Sequence, residues 1–231
     1  MTNSFRPKFA VLIFLTLLLS GCNLASRRTA GPSVIESEFR YDQGQGDAFL
    51  YDVKIYREGK KNSVRLDVYR TGDRLAIFAR GYLGKGVLKG LVLPDSIIIY
   101  FPTENEFYSG KLNELISKSC SEKNNLERML IDLFVKRPVE IDYSMTDFYV
   151  SILSDKGKKQ QFRLESTSCA ESAELQYDFL ESRFILEKID FSNRDESFRF
   201  KAERRKQRLN VNIPAEKLDL SIPDDAVRIN L

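Results

Sequence analysis

The sequence has 231 residues, 36 of them basic and 33 acidic, with no histidine and a formal net charge of +3. Without histidine, Ser-His-Asp triads, histidine-bearing zinc sites and imidazole acid–base catalysis are excluded, and a charge this close to balance makes no general case for nucleic acid as a partner. There is no phosphate loop and no Gly-x-Ser-x-Gly motif, and the adjacent acids Asp224 and Asp225 follow a proline as turn formers do, so a protein without enzymatic activity and without metal is expected.

The chain opens with Arg6 and Lys8, continues through the apolar run Phe9 to Leu19, and reaches Leu19-Ser20-Gly21-Cys22. This is the layout of an export signal. At about 1.5 Å per helical residue the apolar run covers little more than half a bilayer core, which predicts cleavage rather than spanning. The tetrapeptide resembles a bacterial lipobox, in which small residues admit the peptidase and the thiol accepts diacylglycerol. Residues 1–21 are therefore expected to be removed, and Cys22 to carry a covalent diacylglycerol and an N-acyl chain. Two or three acyl chains, at roughly 0.8 kcal/mol per buried methylene, hold a protein on a membrane, so membrane lipid is the first expected partner. Asn23 stands where an aspartate would favour inner-membrane retention, which points to the outer membrane and its periplasmic side. Loss of Arg6 and Lys8, with no acidic residue, takes the formal charge from +3 to +1. Residues 22–37 read as a lipidated cysteine and flexible tether with a reach of about 20 Å, and 38–231 as a single domain, expected to be monomeric.

From Asp47 the sequence alternates with period two. Phe49, Tyr51, Val53 and Ile55 are followed by a turn at Gly59-Lys60-Lys61-Asn62 and by Val64, Leu66 and Val68, which predicts a hairpin. After Thr71-Gly72-Asp73 come Leu75, Ile77 and Ala79, then Gly84-Lys85-Gly86, Val87 to Leu93, the break at Pro94-Asp95, Ile97 to Phe101, and Asn105 to Tyr108. Six closely spaced strands predict an antiparallel meander.

The period then changes. Leu112, Leu115 and Ile116 fall at helical spacing, and Leu126, Met129, Leu130, Leu133 and Phe134 form an i, i+3, i+4, i+7, i+8 stripe. Asn124 with Glu127 resembles an N-cap, and Pro138 closes the second helix. Strand patterning resumes at Phe148 to Ile152, Phe162 to Leu164, Phe184 to Phe191, Phe198 to Ala202, Leu209 to Ile213 and Ala226 to Leu231. The expectation is a mainly β chain of about eleven strands with a helical insertion after the sixth. A sheet this long must curl, and two helices with one apolar stripe each fit across the mouth of an incomplete antiparallel barrel. Periodicity leaves open whether the interior is a ligand cavity or a packed core.

Cys120 and Cys169 are the two other cysteines. In an oxidising exported setting they are a candidate disulfide, which would stabilise by about 4 kcal/mol in the loop-entropy picture, the alternative being two buried thiols. The basic run Lys201, Arg204, Arg205, Lys206 and Arg208 reads as a solvated hairpin tip between Phe198-Phe200 and Leu209-Val211, with binding of acidic headgroups as the alternative.

The stretch Arg74 to Lys111, RLAIFARGYLGKGVLKGLVLPDSIIIYFPTENEFYSGK, resembles the corresponding part of LolB, the outer-membrane receptor for lipoproteins, and of lipoproteins related to it within the LolA/LolB-like superfamily. The order is a strand, a Leu-Gly turn at Leu83-Gly84, two strands, Tyr108, and helices ending near Pro138. The match covers roughly residues 47–138. The resemblance implies an incomplete barrel with a helical lid over an apolar concave face able to hold acyl chains. Its partners would be the acyl chains of other lipoproteins and a periplasmic carrier, and its work lipoprotein or lipid trafficking. It also implies that Leu83 enters the membrane as part of an insertion loop, the alternative being a tight turn with that one hydrophobe folded back onto the sheet. The residues around it would put Tyr82 at headgroup depth, and Lys85, a departure from the receptor's pattern, near phosphate. The stripe of Leu126, Met129, Leu130, Leu133 and Phe134 would line the cavity or its lid. The sequence lacks the receptor's asparagine-proline before the leucine. An interaction module with the same barrel filled by side chains is the competing expectation.

Overall fold

The first two strands follow directly from the alternation of Phe49 to Ile55 and Val64 to Val68. The structure, a computed structural model, describes residues 44–231 apart from 58, 82–83, 116–124, 144–147, 167–170, 194–197 and 230–231. Its strands are β1 (Gly44–Arg57), β2 (Lys60–Thr71), β3 (Arg74–Arg80), β4 (Gly86–Val92), β5 (Ile97–Phe101), β6 (Glu106–Gly110), β7 (Phe148–Asp155), β8 (Lys159–Ser166), β9 (Glu171–Leu180), β10 (Arg183–Asn193), β11 (Phe198–Ile213) and β12 (Val227–Arg228). Among the described residues, two α-helices, α1 (Leu112–Leu115) and α2 (Leu126–Leu133), lie between β6 and β7.

All twelve strands form one sheet in the order β12-β6-β5-β4-β3-β2-β1-β11-β10-β9-β8-β7. Two meanders, β1 to β6 and β7 to β11, are joined by the antiparallel pairing of β1 with β11. Tyr108 of β6 and Phe162 of β8, near opposite ends of this order, belong to one apolar core, so the sheet curls around it. Among the described residues its two edges do not meet. The expected incomplete barrel is what forms.

The two meanders are covered differently. In β5, Ile97, Ile99 and Phe101 face the concave core, while Ile98 and Tyr100 belong to a second core on the convex face. That second core is closed by the chain after β11: a short turn at Ala215–Lys217, then Leu218, Leu220, Ile222 and Ala226, crossing the outside of the first meander to reach β6. There β12 pairs parallel with β6, and the Ile229 amide donates to the Phe107 carbonyl at 2.8 Å. Burial on both faces is why β5 is an unbroken apolar run rather than an alternating one. The second meander keeps its outer face in water, where cross-strand ion pairs line it: Arg163 with Glu174 at 2.6 Å, Lys188 with Glu203 at 3.3 Å, and Arg199 with Asp190 at 2.7 Å.

The described residues form twelve strands, close to the eleven or so expected. Several expectations are corrected. β9 was not anticipated, although Ala173, Leu175, Tyr177 and Phe179 alternate along it. The segments Phe198 to Ala202 and Leu209 to Ile213 are one strand, so the basic run is not a hairpin tip; it lies in mid-sheet beside β1, with bulges that shift the register at Leu50/Tyr51 and Gly46/Ala48. In the first hairpin Gly59 takes φ +75°, and Lys60 to Asn62 already pair with β1, Lys60 opposite Arg57. The N-cap of α2 is Asn125, whose side chain accepts from the Arg128 amide at 2.9 Å. Ile116, Asn124 and Leu231 lie outside the described residues.

Candidate functional site

The concave face is built by inward residues of both meanders, and α2 lies against it. From the stripe expected to form a lid, Leu126, Leu133 and Phe134 are buried in the concave core, and Met129 and Leu130 pack on its margin half-buried. Ile131 is buried as well; the stripe omitted it because it falls to one side, beyond Phe134 around the helix. The Phe134 ring stands edge-on to Tyr51, centroids 6.1 Å apart at 89°, and lies 5.9 Å from Phe49. Phe162 and Tyr177 make a second edge-to-face pair at 5.9 Å. Such pairs favour one docking angle over others by their quadrupoles.

Polar ties hold α2 at both ends. At its start, Glu127 is buried, only 3% exposed, and its carboxylate accepts from the Leu112 amide, joining α2 to α1. A carboxylate that the sequence associates with the N-cap is thus spent on the preceding helix. Beside it, Tyr108 Oη donates within hydrogen-bond reach of both the Lys111 carbonyl, at 2.8 Å, and Glu114 Oε2, at 2.9 Å. At the other end, Tyr177 Oη donates to the Leu133 carbonyl at 2.9 Å, satisfying one of the acceptors that a helix terminus leaves open. Arg137 then clamps the exit: its guanidinium reaches Glu140 at 2.6 Å and Gln160 Oε1 at 3.0 Å and stacks 4.5 Å over the Phe184 ring. Tyr51 Oη donates to the Leu186 carbonyl at 2.9 Å.

Burial dominates the electrostatics of this face. Burial pushes Tyr51 and Tyr177 well above the ordinary phenol range, with the Arg204 charge opposing it at Tyr51. Burial and the hydrogen bond to Glu114 do the same for Tyr108. All three are neutral hydrogen-bond donors at physiological pH. The Arg137 hydrogen bond holds the Glu140 carboxyl below its usual range, so that pair is charged.

A second buried centre was not legible in the sequence. Asp47, 2% exposed, receives Arg183 at 2.5 and 3.0 Å, Arg70 at 3.4 Å and the Asn210 amide at 3.1 Å. Asn210 sits at the bulge of β11 with φ +53°, so this carboxylate fixes the point where β1, β2, β10 and β11 converge. Its ligands come from three distant strands, and no local pattern announces them.

Of the other expected site residues, Lys85 is exposed and its carbonyl accepts from the Gly81 amide at 2.9 Å, closing the β3–β4 loop, where Gly84 takes φ +74°. Tyr82 and Leu83, Cys120 and Cys169, and Cys22 lie outside the described residues. A groove of about 400 Å³ opens on the convex side, lined by Ala48, Phe49, Leu50, Asp67, Tyr69, Lys206, Gln207 and Arg208.

No family model matches the sequence, and no curated protein matches it. Solved structures do. A DUF1329 family protein from Desulfovibrio piger aligns over 77% of this chain and 91% of its own, at 10% identity and a TM-score of 0.45. An uncharacterized conserved protein from Thermus thermophilus aligns over 78% and 90%, at 11% identity and 0.45. A LolA superfamily protein from Nitrosomonas europaea aligns over 79% and 93%, at 7% identity and 0.41. Values this low transfer no function.

Proposed function

We propose that this protein is a lipid-anchored envelope protein that holds acyl chains, of lipids or of other lipoproteins, against its concave wall, without covalent chemistry. The observation that carries the reading is the roof of that wall. Among the described residues, an apolar surface that includes Phe49, Tyr51, Phe162 and Tyr177 meets an eight-residue helix and its C-cap rather than a second sheet. Its partners on that helix, Leu126, Leu133 and Phe134, are themselves apolar, so an acyl chain that displaces them meets a surface of the same kind. Each methylene so buried contributes roughly 0.8 kcal/mol. The sequence resemblance to LolB and the lipobox-like segment ending at Cys22 support the same reading, with the outer membrane as the site of action.

The test is to lock the roof. A Phe49→Cys, Phe134→Cys pair, placed where the two rings meet and bridged by a bifunctional methanethiosulfonate, should abolish saturable binding of a fluorescent fatty-acid analogue while raising the melting temperature, and reduction should restore binding. Absence of saturable binding by the unlocked wild type would sink the proposal.

One observation favours the rival reading of an interaction module. β7 pairs only with β8 among the described residues and exposes Tyr149 and Ile152, 61% and 62% accessible, as an edge suited to strand addition. If the locked protein keeps full activity in cells and loses it on Ile152→Pro, the module reading replaces the first.

A further inference from the structure

The basic run of β11 divides into two sets. Three of its cations have carboxylates: Lys201 reaches Asp190 at 2.9 Å, Arg204 reaches Asp178 at 3.4 Å and Arg205 reaches Asp52 at 3.1 Å. Lys206 and Arg208 have no carboxylate partner among the described residues, and both are exposed. These same two line the convex groove.

The register explains the groove's shape. Directly paired residues on antiparallel strands project to the same face, so two rungs cross the three strands: Tyr69, Ala48 and Arg208, and beside it Asp67, Leu50 and Lys206. Successive rungs on one face are about 7 Å apart, so the two cations stand on one bank within reach of a single tetrahedral anion. The small Ala48 between Tyr69 and Arg208 leaves the trough, and Leu50 extends its apolar floor. On the opposite bank Tyr69 is braced edge-on by Phe78 at 5.9 Å, and the carboxylate of Asp67 is neutralised by Arg80. The segment that covers the convex face runs over the first meander from Leu218 to Ala226, and none of its residues lines the groove.

We propose that this groove binds the phosphodiester headgroup of an anionic membrane phospholipid, with phosphate between Lys206 and Arg208 and the glycerol ester region over Ala48 and Leu50. Charge complementarity selects the anion: two unpaired cations beside an apolar floor match a phosphate carrying apolar substituents better than a free ion, which would leave the floor empty. Location selects the membrane as source. β1 begins at Gly44, one rung pair beyond Ala48 on the same strand, and the chain leading from Cys22 enters the fold there. This site is separate from the concave face: its membrane source rests on the anchor proposed at Cys22, and not on acyl-chain binding at the concave wall.

The test titrates the full-length lipoprotein in a non-ionic detergent with dioctanoyl phosphatidylglycerol, with dioctanoyl phosphatidylcholine and with inorganic phosphate, reading stoichiometry by native mass spectrometry and affinity by calorimetry. One phosphatidylglycerol per protein is expected beyond any lipid that the concave wall takes up irrespective of headgroup, bound more tightly than either other probe. Lys206→Ala with Arg208→Ala should weaken it at least about tenfold, as loss of charge-assisted bonds requires, and Lys206→Arg with Arg208→Lys should retain it. Lys156→Ala with Lys158→Ala removes equal charge from the exposed β7–β8 turn and should change nothing. Equal binding of phosphatidylcholine, equal binding of free phosphate, or equal weakening by the control pair would each overturn the proposal.

Discussion

The two meanders of this sheet are built from the same kind of strand and solve burial in opposite ways. The first, β1 to β6, is covered on its concave side by α2 and on its convex side by the segment after β11, and its strand β5 is buried at every position. The second, β7 to β11, is covered on one side only; β8 alternates buried and exposed, and ion pairs line the outer face. The difference teaches that strand composition here records how many faces are covered rather than how deep in the sheet a strand lies. β11 is central and strongly charged, whereas β5 stands near an edge and is wholly apolar.

The contrast is broken most directly by placing one charge in each half. Ile98→Asp puts an unpaired carboxylate beneath the convex cover and should cost about 4 kcal/mol or prevent folding; urea denaturation measures it. Leu218→Ala removes part of the cover itself and should cost about 2–3 kcal/mol, with new binding of a hydrophobic dye that reports the uncovered face. In the second meander the largest polar effect should come from Asp190. Burial raises its pKa, but the hydrogen bonds and charges of Arg199 and Lys201 outweigh this and leave it below the ordinary carboxylate range. A lowered folded pKa stabilises above the unfolded value near 3.9 and is lost as pH falls through the folded one. Asp190→Asn should therefore cost under about 1 kcal/mol at neutral pH, less in high salt, and the gap to wild type should close below about pH 4 in parallel melts. Ile152→Asp, on exposed β7, should move stability by no more than about 0.5 kcal/mol. A large loss there would mean that β7 is covered as the first meander is.

What the sequence allowed to be read follows the same division. Local periodicity found the strands of the first meander, because Leu75, Ile77 and Ala79, or Ile97 to Phe101, are apolar whatever pairs with them. It also found the stripe of α2, whose Leu126, Leu133 and Phe134 do meet the core. It broke down where non-local pairing decides. The charges at 201–208 suggested a solvated tip, yet Asp190, Asp178 and Asp52, supplied by three other strands, let three of those cations sit in mid-sheet. The wall against which α2 packs, and the Asp47 centre with Arg70 and Arg183, depend on strands far apart in the chain, so no window of sequence contains them.

The position of β1 also sets an order of events. Gly44 meets Ile213 and Arg57 meets Phe198, so the strand made first waits for one made almost last. During synthesis, or passage end-first through a translocation pore, the early meander can zip from β1 to β6 while the other side of β1 stays an open template. Such high contact order slows folding and leaves a long interval in which that edge can pair with another chain. Asp52, Lys54 and Arg57, set along that waiting strand, supply the charged side chains that discourage such pairing until β11 arrives.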